Sequence, residues 1–434
     1  MSFPYTQCIS AITIPAGEYK NYTFVVAAYQ SGISVGQFSP NPTPPSYTLG
    51  GVSNLDNNGA STTAIEFLLD YSNTDYSPPY YFVYGSEDEN IWLNSINPAT
   101  GGSHFTSSNV TTQIASEKQP DAPIARLFYY FPESLLYVAA SNGNLYWYSV
   151  TWSSDGKPSL SYVGSNTSYN GDGDYEPSGA PISLTFFPAN TLTNYDCLLL
   201  GGVKEATWVM FNAQNPSSTP HLFSCPTGAF EGTAIATGIC KGPEGIYWST
   251  GYSLNYMDYG NYGSLNSVIW TVPSDQAILS LAYSPNAGNA DPGYYPKGAI
   301  FIATAPPVPS NSSMGSIWVV DVSSNTVGNA AQQDATISGS PWAIIADANL
   351  NYMCATGSCG VFLSTLAAYN PESNIPENGM LVPNQVTSGV GHTWISDLVS
   401  AAALVFGVVT EDPVAVGWAV AGIDAEAIDS QTGY

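Results

Sequence analysis

Residues 123–163 read PIARLFYYFPESLLYVAASNGNLYWYSVTWSSDGKPSLSYV. Within this stretch Pro123-Ile-Ala-Arg-Leu127, Leu136-Tyr-Val-Ala-Ala140 and Tyr146-Trp147-Tyr148 follow one another at hairpin spacing, with Asn142-Gly143 as a turn signal between the last two. Short runs rich in aromatic and aliphatic residues, bounded by turn residues, predict strands. Leu160-Ser-Tyr-Val163 adds a fourth, more polar run of the kind found on an outer edge.

Outward from this stretch the same unit recurs. The first run has copies at Ser10-Ala-Ile-Thr-Ile14, Thr63-Ala-Ile-Glu-Phe67, Pro181-Ile-Ser-Leu-Thr185, Thr233-Ala-Ile-Ala-Thr237, Ala277-Ile-Leu-Ser-Leu281 and Pro341-Trp-Ala-Ile-Ile345, at intervals of 44 to 64 residues. A second run ending in small residues follows each, as in Phe24-Val-Val-Ala-Ala28, Tyr81-Phe-Val-Tyr-Gly85, Leu198-Leu-Leu-Gly-Gly202, Ile246-Tyr-Trp-Ser-Thr250 and Ile300-Phe-Ile-Ala-Thr304. The third run carries an aromatic between strand formers: Trp92, Trp147, Trp208, Trp270 and Trp318, with Phe362 in the last copy. The first copy, Gly32-Ile-Ser-Val-Gly36, lacks it. Ser46-Tyr-Thr-Leu49 and His221-Leu-Phe-Ser224 read as further fourth strands.

A small antiparallel sheet cannot shelter its own apolar face, so repeated sheets stack on their neighbours. Small residues closing the second run let sheets converge near an axis, and the aromatic of the third fills the wider wedge outside it. The pattern predicts an all-β chain: a seven-bladed β-propeller over residues 1–387, with a two-sheet or solenoid arrangement as the competing reading. Beyond it, residues 388–434 form a short apolar appendix. Leu398-Val-Ser-Ala-Ala-Ala-Leu-Val-Phe406 reads as a helix, and Asp412-Pro413 as the start of a second. Each is about 15 residues, short of the ~20 that span a bilayer. A helical hairpin packed on the propeller is expected. A homo-oligomer contact and membrane insertion after Glu411 and Asp412 protonate are the alternatives.

Composition narrows the partners. Charged residues are 9% of the 434, and net charge is −26. The Lys and Arg residues are scattered singly, so no basic patch anchors nucleic acid, and none is expected as a partner. A surface built from Ser, Thr, Asn, Gln and Tyr changes little with pH or salt, which suits the outside of a cell or a virion-like particle. Met1-Ser-Phe-Pro-Tyr5 lacks the charged and apolar regions of a signal peptide. A processed start, another export route or particle assembly is compatible with that expectation.

Sites for chemistry are sparse. His104, His221 and His392 lie far apart, outside any local metal-binding pattern. Gly32-Ile-Ser-Val-Gly36 matches the spacing of a nucleophile elbow but sits among strands, so Ser34 is not read as a nucleophile. Asn170, Asp172, Asp174 and Glu176 place oxygen ligands at alternate positions, as calcium requires, and Asn54, Asp56 and Asn58 do so before Gly59. Both lack the glutamate that closes a calcium loop, and Asx-rich turns look the same without metal. Of the 6 cysteines, Cys354 and Cys359 flank the turn 355–358 and are the expected disulfide, against two buried thiols.

The functional expectation is a non-enzymatic binding or structural protein exposed outside a cell or on a particle. Lectin-like capture of carbohydrate, contact with a protein surface, and self-assembly through 388–434 all fit. Loops such as Tyr71-Ser-Asn-Thr-Asp-Tyr-Ser-Pro-Pro-Tyr-Tyr81 and Tyr252-Ser-Leu-Asn-Tyr-Met-Asp-Tyr-Gly-Asn-Tyr-Gly263 supply flat aromatic area and hydroxyls. The alternative is an enzyme using a funnel carboxylate, for which Glu66, Asp88 and Glu231 are candidates.

Overall fold

The repeated runs pair with their sequence neighbours. The computed structural model describes residues 9–29, 32–38, 47–54, 62–86, 88–98, 108–142, 144–166, 183–187, 196–201, 206–211, 221–224, 238–249, 253–258, 267–273, 276–284, 297–305, 314–323, 335–338, 341–347, 350–356, 360–365 and 384–387. These residues are nearly all-β. They form seven four-stranded antiparallel sheets, each a meander in sequence order. Among the described residues no helix is long and apolar enough to cross a membrane.

The chain divides into two compact units: Thr6–Asp174 with Phe211–His221, and Met1–Tyr5 with Tyr175–Met210 and Leu222–Tyr434. The first unit holds three sheets. They are β1 (Ile9–Thr13), β2 (Thr23–Tyr29), β3 (Gly32–Phe38) and β4 (Tyr47–Asn54); β5 (Thr62–Leu68), β6 (Tyr80–Ser86), β7 (Ile91–Ile96) and β8 (Ser108–Asn109); and β9 (Ile124–Tyr130), β10 (Leu135–Ala140), β11 (Leu145–Trp152) and β12 (Pro158–Asn166). The second unit carries β13 (Ser183–Phe187), β14 (Asp196–Gly201) and most of β15 (Ala206–Phe211) and β16 (His221–Ser224). It continues with β17 (Gly238–Lys241), β18 (Gly245–Ser249), β19 (Ser253–Asp258) and β20 (Ser267–Thr271), then β21 (Ala277–Ser284), β22 (Ala299–Ala305), β23 (Met314–Asp321) and β24 (Ala335–Ser338). The last sheet is β25 (Pro341–Asp347), β26 (Leu350–Thr356), β27 (Gly360–Thr365) and β28 (Asn384–Thr387).

Burial shows why the sheets stack. Every residue of β10 and of β18 is buried, although successive side chains point to opposite faces. A strand covered on both faces needs a neighbour on each side. In the first unit β5 packs on β1 and β2, and β9 packs on β5 and β6. In the second, β13, β17, β21 and β25 pack in succession. One core cluster joins Ala64, Val83, Ile91 and Leu93 to Ile124, Leu136, Val138 and Tyr146. Another joins Tyr247, Leu254 and Tyr256 to Ile278, Ile300, Ile302 and Val320. Hydroxyls on first strands bridge the sheets: Thr63 Oγ1 donates to the Ile124 carbonyl at 2.5 Å, and Ser280 Oγ accepts from the Ile344 amide at 3.3 Å.

Trp92 and Trp147 lie buried on the third strands β7 and β11, as expected, and Trp318 lies half-buried on β23. Trp208 lies on β15, and nothing is described of its side chain. Trp270 corrects the reading. It lies on β20, the fourth strand of its sheet, and the third is β19, inside the stretch 252–263 expected as a loop. Leu254 and Tyr256 are buried there, and Asn255, also buried, donates to the Trp248 carbonyl at 3.4 Å. That bond lets a polar residue occupy an inner strand. Trp270 reaches Trp318 of the next sheet, with ring centroids 5.2 Å apart. The first strand of the sheet that holds Trp270 is β17, while 233–237, expected to fill the place, lie outside the described residues. The appendix 388–434 also lies outside them.

Two features give stability tests. A methyl at Gly85 would sit 2.5 Å from Ile124 Cβ on the adjoining sheet. Gly85→Ala is expected to cost about 1–3 kcal/mol through overpacking, and Gly85→Ala with Ile124→Ala less than the sum of the single changes. Denaturant unfolding of the three variants measures this. Separately, Asp121 clasps the β10–β11 turn, accepting from Asn142 Nδ2 at 2.9 Å and from Asn144 Nδ2 at 2.9 and 3.0 Å. Burial works to raise its carboxyl pKa, but hydrogen bonds from Asn142, Asn144 and Tyr146 outweigh that and hold it below the usual range. Its contribution is therefore present above the unfolded carboxylate pKa and lost as pH falls through the lower folded one. Asp121→Asn is expected to lower the melting temperature at neutral pH. That deficit shrinks once acid protonates the wild-type carboxyl.

Candidate functional site

The loop joining β5 to β6 is ordered by its own short polar side chains. Asp70 Oδ1 accepts from the Ser72 amide at 3.0 Å and from Ser72 Oγ at 2.6 Å. Asn73 Oδ1 accepts from the Asp75 amide at 3.0 Å, and Tyr80 Oη donates to the Tyr76 carbonyl at 3.0 Å. Such Asx turns let a loop hold one shape without a core of its own. The β1–β2 turn braces it. Gly17 (φ +85°) lies so close to the Asp75 carbonyl that no side chain fits there, and Phe24 packs 4.8 Å from the Tyr80 ring.

The β11–β12 turn stands opposite. Ser153 Oγ donates to Asp155 and to the Lys157 carbonyl, the latter at 2.9 Å, and the Gly156 amide donates to the Ser153 carbonyl at 2.9 Å. Between this turn and the β5–β6 loop lies a cavity of about 230 Å³. Its floor is Leu68, Leu69 and Tyr80, which are buried. Half-buried Tyr76, Tyr81 and Trp152 line it as well, with Tyr81 and Trp152 edge to face at 6.2 Å. Asp70, Asn73, Ser77, Ser154 and Asp155 supply polar groups.

The protonation states suit hydrogen bonding. Hydrogen bonds from Ser153 and from backbone amides hold the Asp155 carboxyl below its usual range, so it is an acceptor at neutral pH. Burial first, and Asp155 second, raises the Tyr81 phenol. Burial likewise raises Tyr80, with Tyr19 and Glu18 adding to it. Both stay protonated, and Tyr80 gives its proton to the Tyr76 carbonyl. An ionised acceptor, Asp155, and a phenolic donor, Tyr81, thus line one aromatic-walled cavity. The backbone at Tyr76 has φ +40°, a left-handed conformation that is an outlier for so bulky a residue. Strain of this kind is held where surrounding structure over-determines it, and it clusters at ligand sites.

The Tyr71–Tyr81 loop was legible in the sequence as aromatic and polar. Trp152 and Asp155 were not, because they lie some 80 residues away and join the loop only across two sheets. The other candidates are not brought together. Asp88 accepts from Ser86 Oγ and the Asn90 amide within its own turn. Glu66 lies on β5 and Ser34 on β3. Asn170, Asp172, Asp174 and Glu176 lie outside the described residues, as do Asp56, Asn58, Glu231, His104 and His392. So does the Cys354–Cys359 pairing: Cys354 is on β26 with its side chain undescribed, and Cys359 is beyond the described residues. Among the described residues no three His, Cys, Asp or Glu gather as a metal site.

No family model matches the sequence, and no curated protein matches it. Among solved structures, the chain is similar to Saccharomyces cerevisiae Sqt1 at 12% identity, over 90% of this chain and 86% of that one, with a TM-score of 0.47. It is also similar to a chain of a mitotic checkpoint complex at 12% identity, over 82% of this chain and 90% of that one, with a TM-score of 0.42.

The strain at Tyr76 can be measured. Glycine there removes about 1–2 kcal/mol of left-handed strain while losing the ring's contacts. Tyr76→Gly is therefore expected to lower the melting temperature less than Tyr80→Ala, which empties a buried site. A Tyr76→Gly protein melting below Tyr80→Ala would contradict the strain.

Proposed function

We propose that the protein is a non-enzymatic binding module that captures uncharged carbohydrate in the cavity between the β5–β6 loop and the β11–β12 turn. The observation that carries this is the pairing, in one cavity, of aromatic rings with carboxyl and amide hydrogen-bonding groups: Tyr76, Tyr81 and Trp152 beside Asp70, Asn73 and Asp155. A sugar offers an apolar C–H face for a ring and hydroxyls for carboxylates. Aromatic side chains give contact area at low entropy cost, and few polar groups then fix orientation. A net charge of −26 disfavours sulfated or phosphorylated ligands.

Catalysis is less well supported. A general acid must hold its proton at working pH, which requires a raised carboxyl pKa. Asp155 is pulled the opposite way. Asp88 is engaged in its own turn.

In this reading the stacked sheets close as a seven-bladed propeller over 1–387, displayed outside a cell or on a particle, and the loops at one end of the blades carry the site. What supports the reading is that the strand repeat gives seven meanders of the same kind, none of which can shelter its own apolar face. The appendix 388–434 is then a packed hairpin or the joint between copies.

A glycan array followed by calorimetry tests the binding. Neutral glycans are expected as hits, with sulfated and sialylated ones absent. Trp152→Ala should cost about 2 kcal/mol, near thirtyfold in affinity; because the ring also packs on the core, circular dichroism at the assay temperature checks that the variant is folded. An array without neutral hits, or Trp152→Ala binding as wild type, would refute the assignment.

A further inference from the structure

We infer that the binding surface continues beyond the cavity over an exposed aromatic ridge, Tyr71 and Phe131, so that the ligand is a chain of uncharged sugar units rather than a single one; this rests on the carbohydrate reading above. Among the described residues, the exposed large hydrophobic side chains are Tyr71 at 44%, Phe131 at 49% and Val268 at 59%. Val268 belongs to the other unit. Tyr71 and Phe131 come from different sheets and meet, with ring centroids 4.3 Å apart and planes tilted by 32°. The ridge joins the cavity directly, because Tyr71 sits edge-on to Tyr76, a lining residue, at 6.1 Å.

Both rings are held in place. Tyr71 lies inside the Asx turn between Asp70 and Ser72. Phe131 opens the 3-10 turn Phe131–Glu133, whose second residue is Pro132. Exposed aromatics on rigid turns keep a binding shape without the entropy cost of ordering. Two such rings beside a cavity, where most large apolar side chains of this unit are buried, make a platform rather than scattered surface residues. Asp70 and Asp75 in the loop and Glu133 in the turn make the segments that carry the two rings acidic. That charge accepts from sugar hydroxyls and repels anionic polymers. A flat, wet, hydroxyl-rich chain fits this better than an apolar protein segment.

The test uses the full-length protein and titrates di- and hexasaccharides of the cello, malto and manno series. For at least one series, wild type is expected to bind the hexasaccharide about tenfold tighter than the disaccharide. Phe131→Ala and Tyr71→Ala should erase that gain and leave disaccharide affinity unchanged, while Phe131→Trp keeps it. Both sites are exposed, and circular dichroism of each variant checks the fold. If the disaccharide binds through Trp152 but length brings no gain, or the gain survives both alanine variants, the ridge proposal is overturned and the carbohydrate reading stands. Binding to none of the three series overturns both. Light scattering that shows a dimer lost in Phe131→Ala overturns the ridge in favour of contact between copies.

Discussion

The structure depends on second strands whose two faces are both apolar and both covered. β10 runs Leu-Leu-Tyr-Val-Ala-Ala and β18 runs Gly-Ile-Tyr-Trp-Ser, and neither leaves a residue exposed. A solvated sheet face would carry alternating polar residues. Here burying a Leu or Val side chain is worth roughly 1.5–3 kcal/mol on either face, so a strand of this kind gains from apolar cover on both. The closeness of that packing shows where Gly85 meets Ile124 and where Thr63 bonds the backbone of the next sheet. The stabilisation is apolar and local to sheet pairs. The exposed Lys297–Glu244 ion pair, 2.5 Å long, adds little beside it.

Stacking of meanders has a consequence for the loops. Each sheet turns back at the same end after its first and third strands. In the first unit the β1–β2 turn, the β5–β6 loop, the β9–β10 turn and the β11–β12 turn therefore gather at one end. Gly17 touches Asp75, Tyr71 meets Phe131, and Trp152 meets Tyr81. None of these contacts is local in sequence. The hydrophobic stack does the folding, which leaves the loops free to hold strain at Tyr76 and exposed rings at Tyr71 and Phe131. Function on a scaffold of this kind lives in its loops.

The scarcity of charge shapes the chemistry. With charged residues at 9%, the polar work falls to Asn, Ser, Thr and Tyr. Asp121 is held by Asn142 and Asn144 rather than by a cation, and Asp70 by Ser72. Hydrogen bonds hold the Asp121 and Asp155 carboxyls below their usual range, so these two stay ionised without depending on a salt bridge. They remain able to accept from an uncharged, hydroxylated ligand, which is the chemistry assigned to the cavity.

The sequence by itself determined the strand repeat, the antiparallel pairing of neighbouring runs and the character of the Tyr71–Tyr81 loop, because strand propensity and hairpin closure act over a few residues. It placed Trp92, Trp147 and Trp318 on third strands correctly. It misplaced Trp270, because a Trp between strand formers fits a third or a fourth strand equally well, and because the polar residues of β19 looked like a loop until Asn255 found the Trp248 carbonyl. Only the tertiary structure decided that Trp152 and Asp155 face the loop, and that Phe131 meets Tyr71. Those meetings are between loops of neighbouring sheets, and loop-to-loop contacts vary from copy to copy and so leave no periodic trace in the chain.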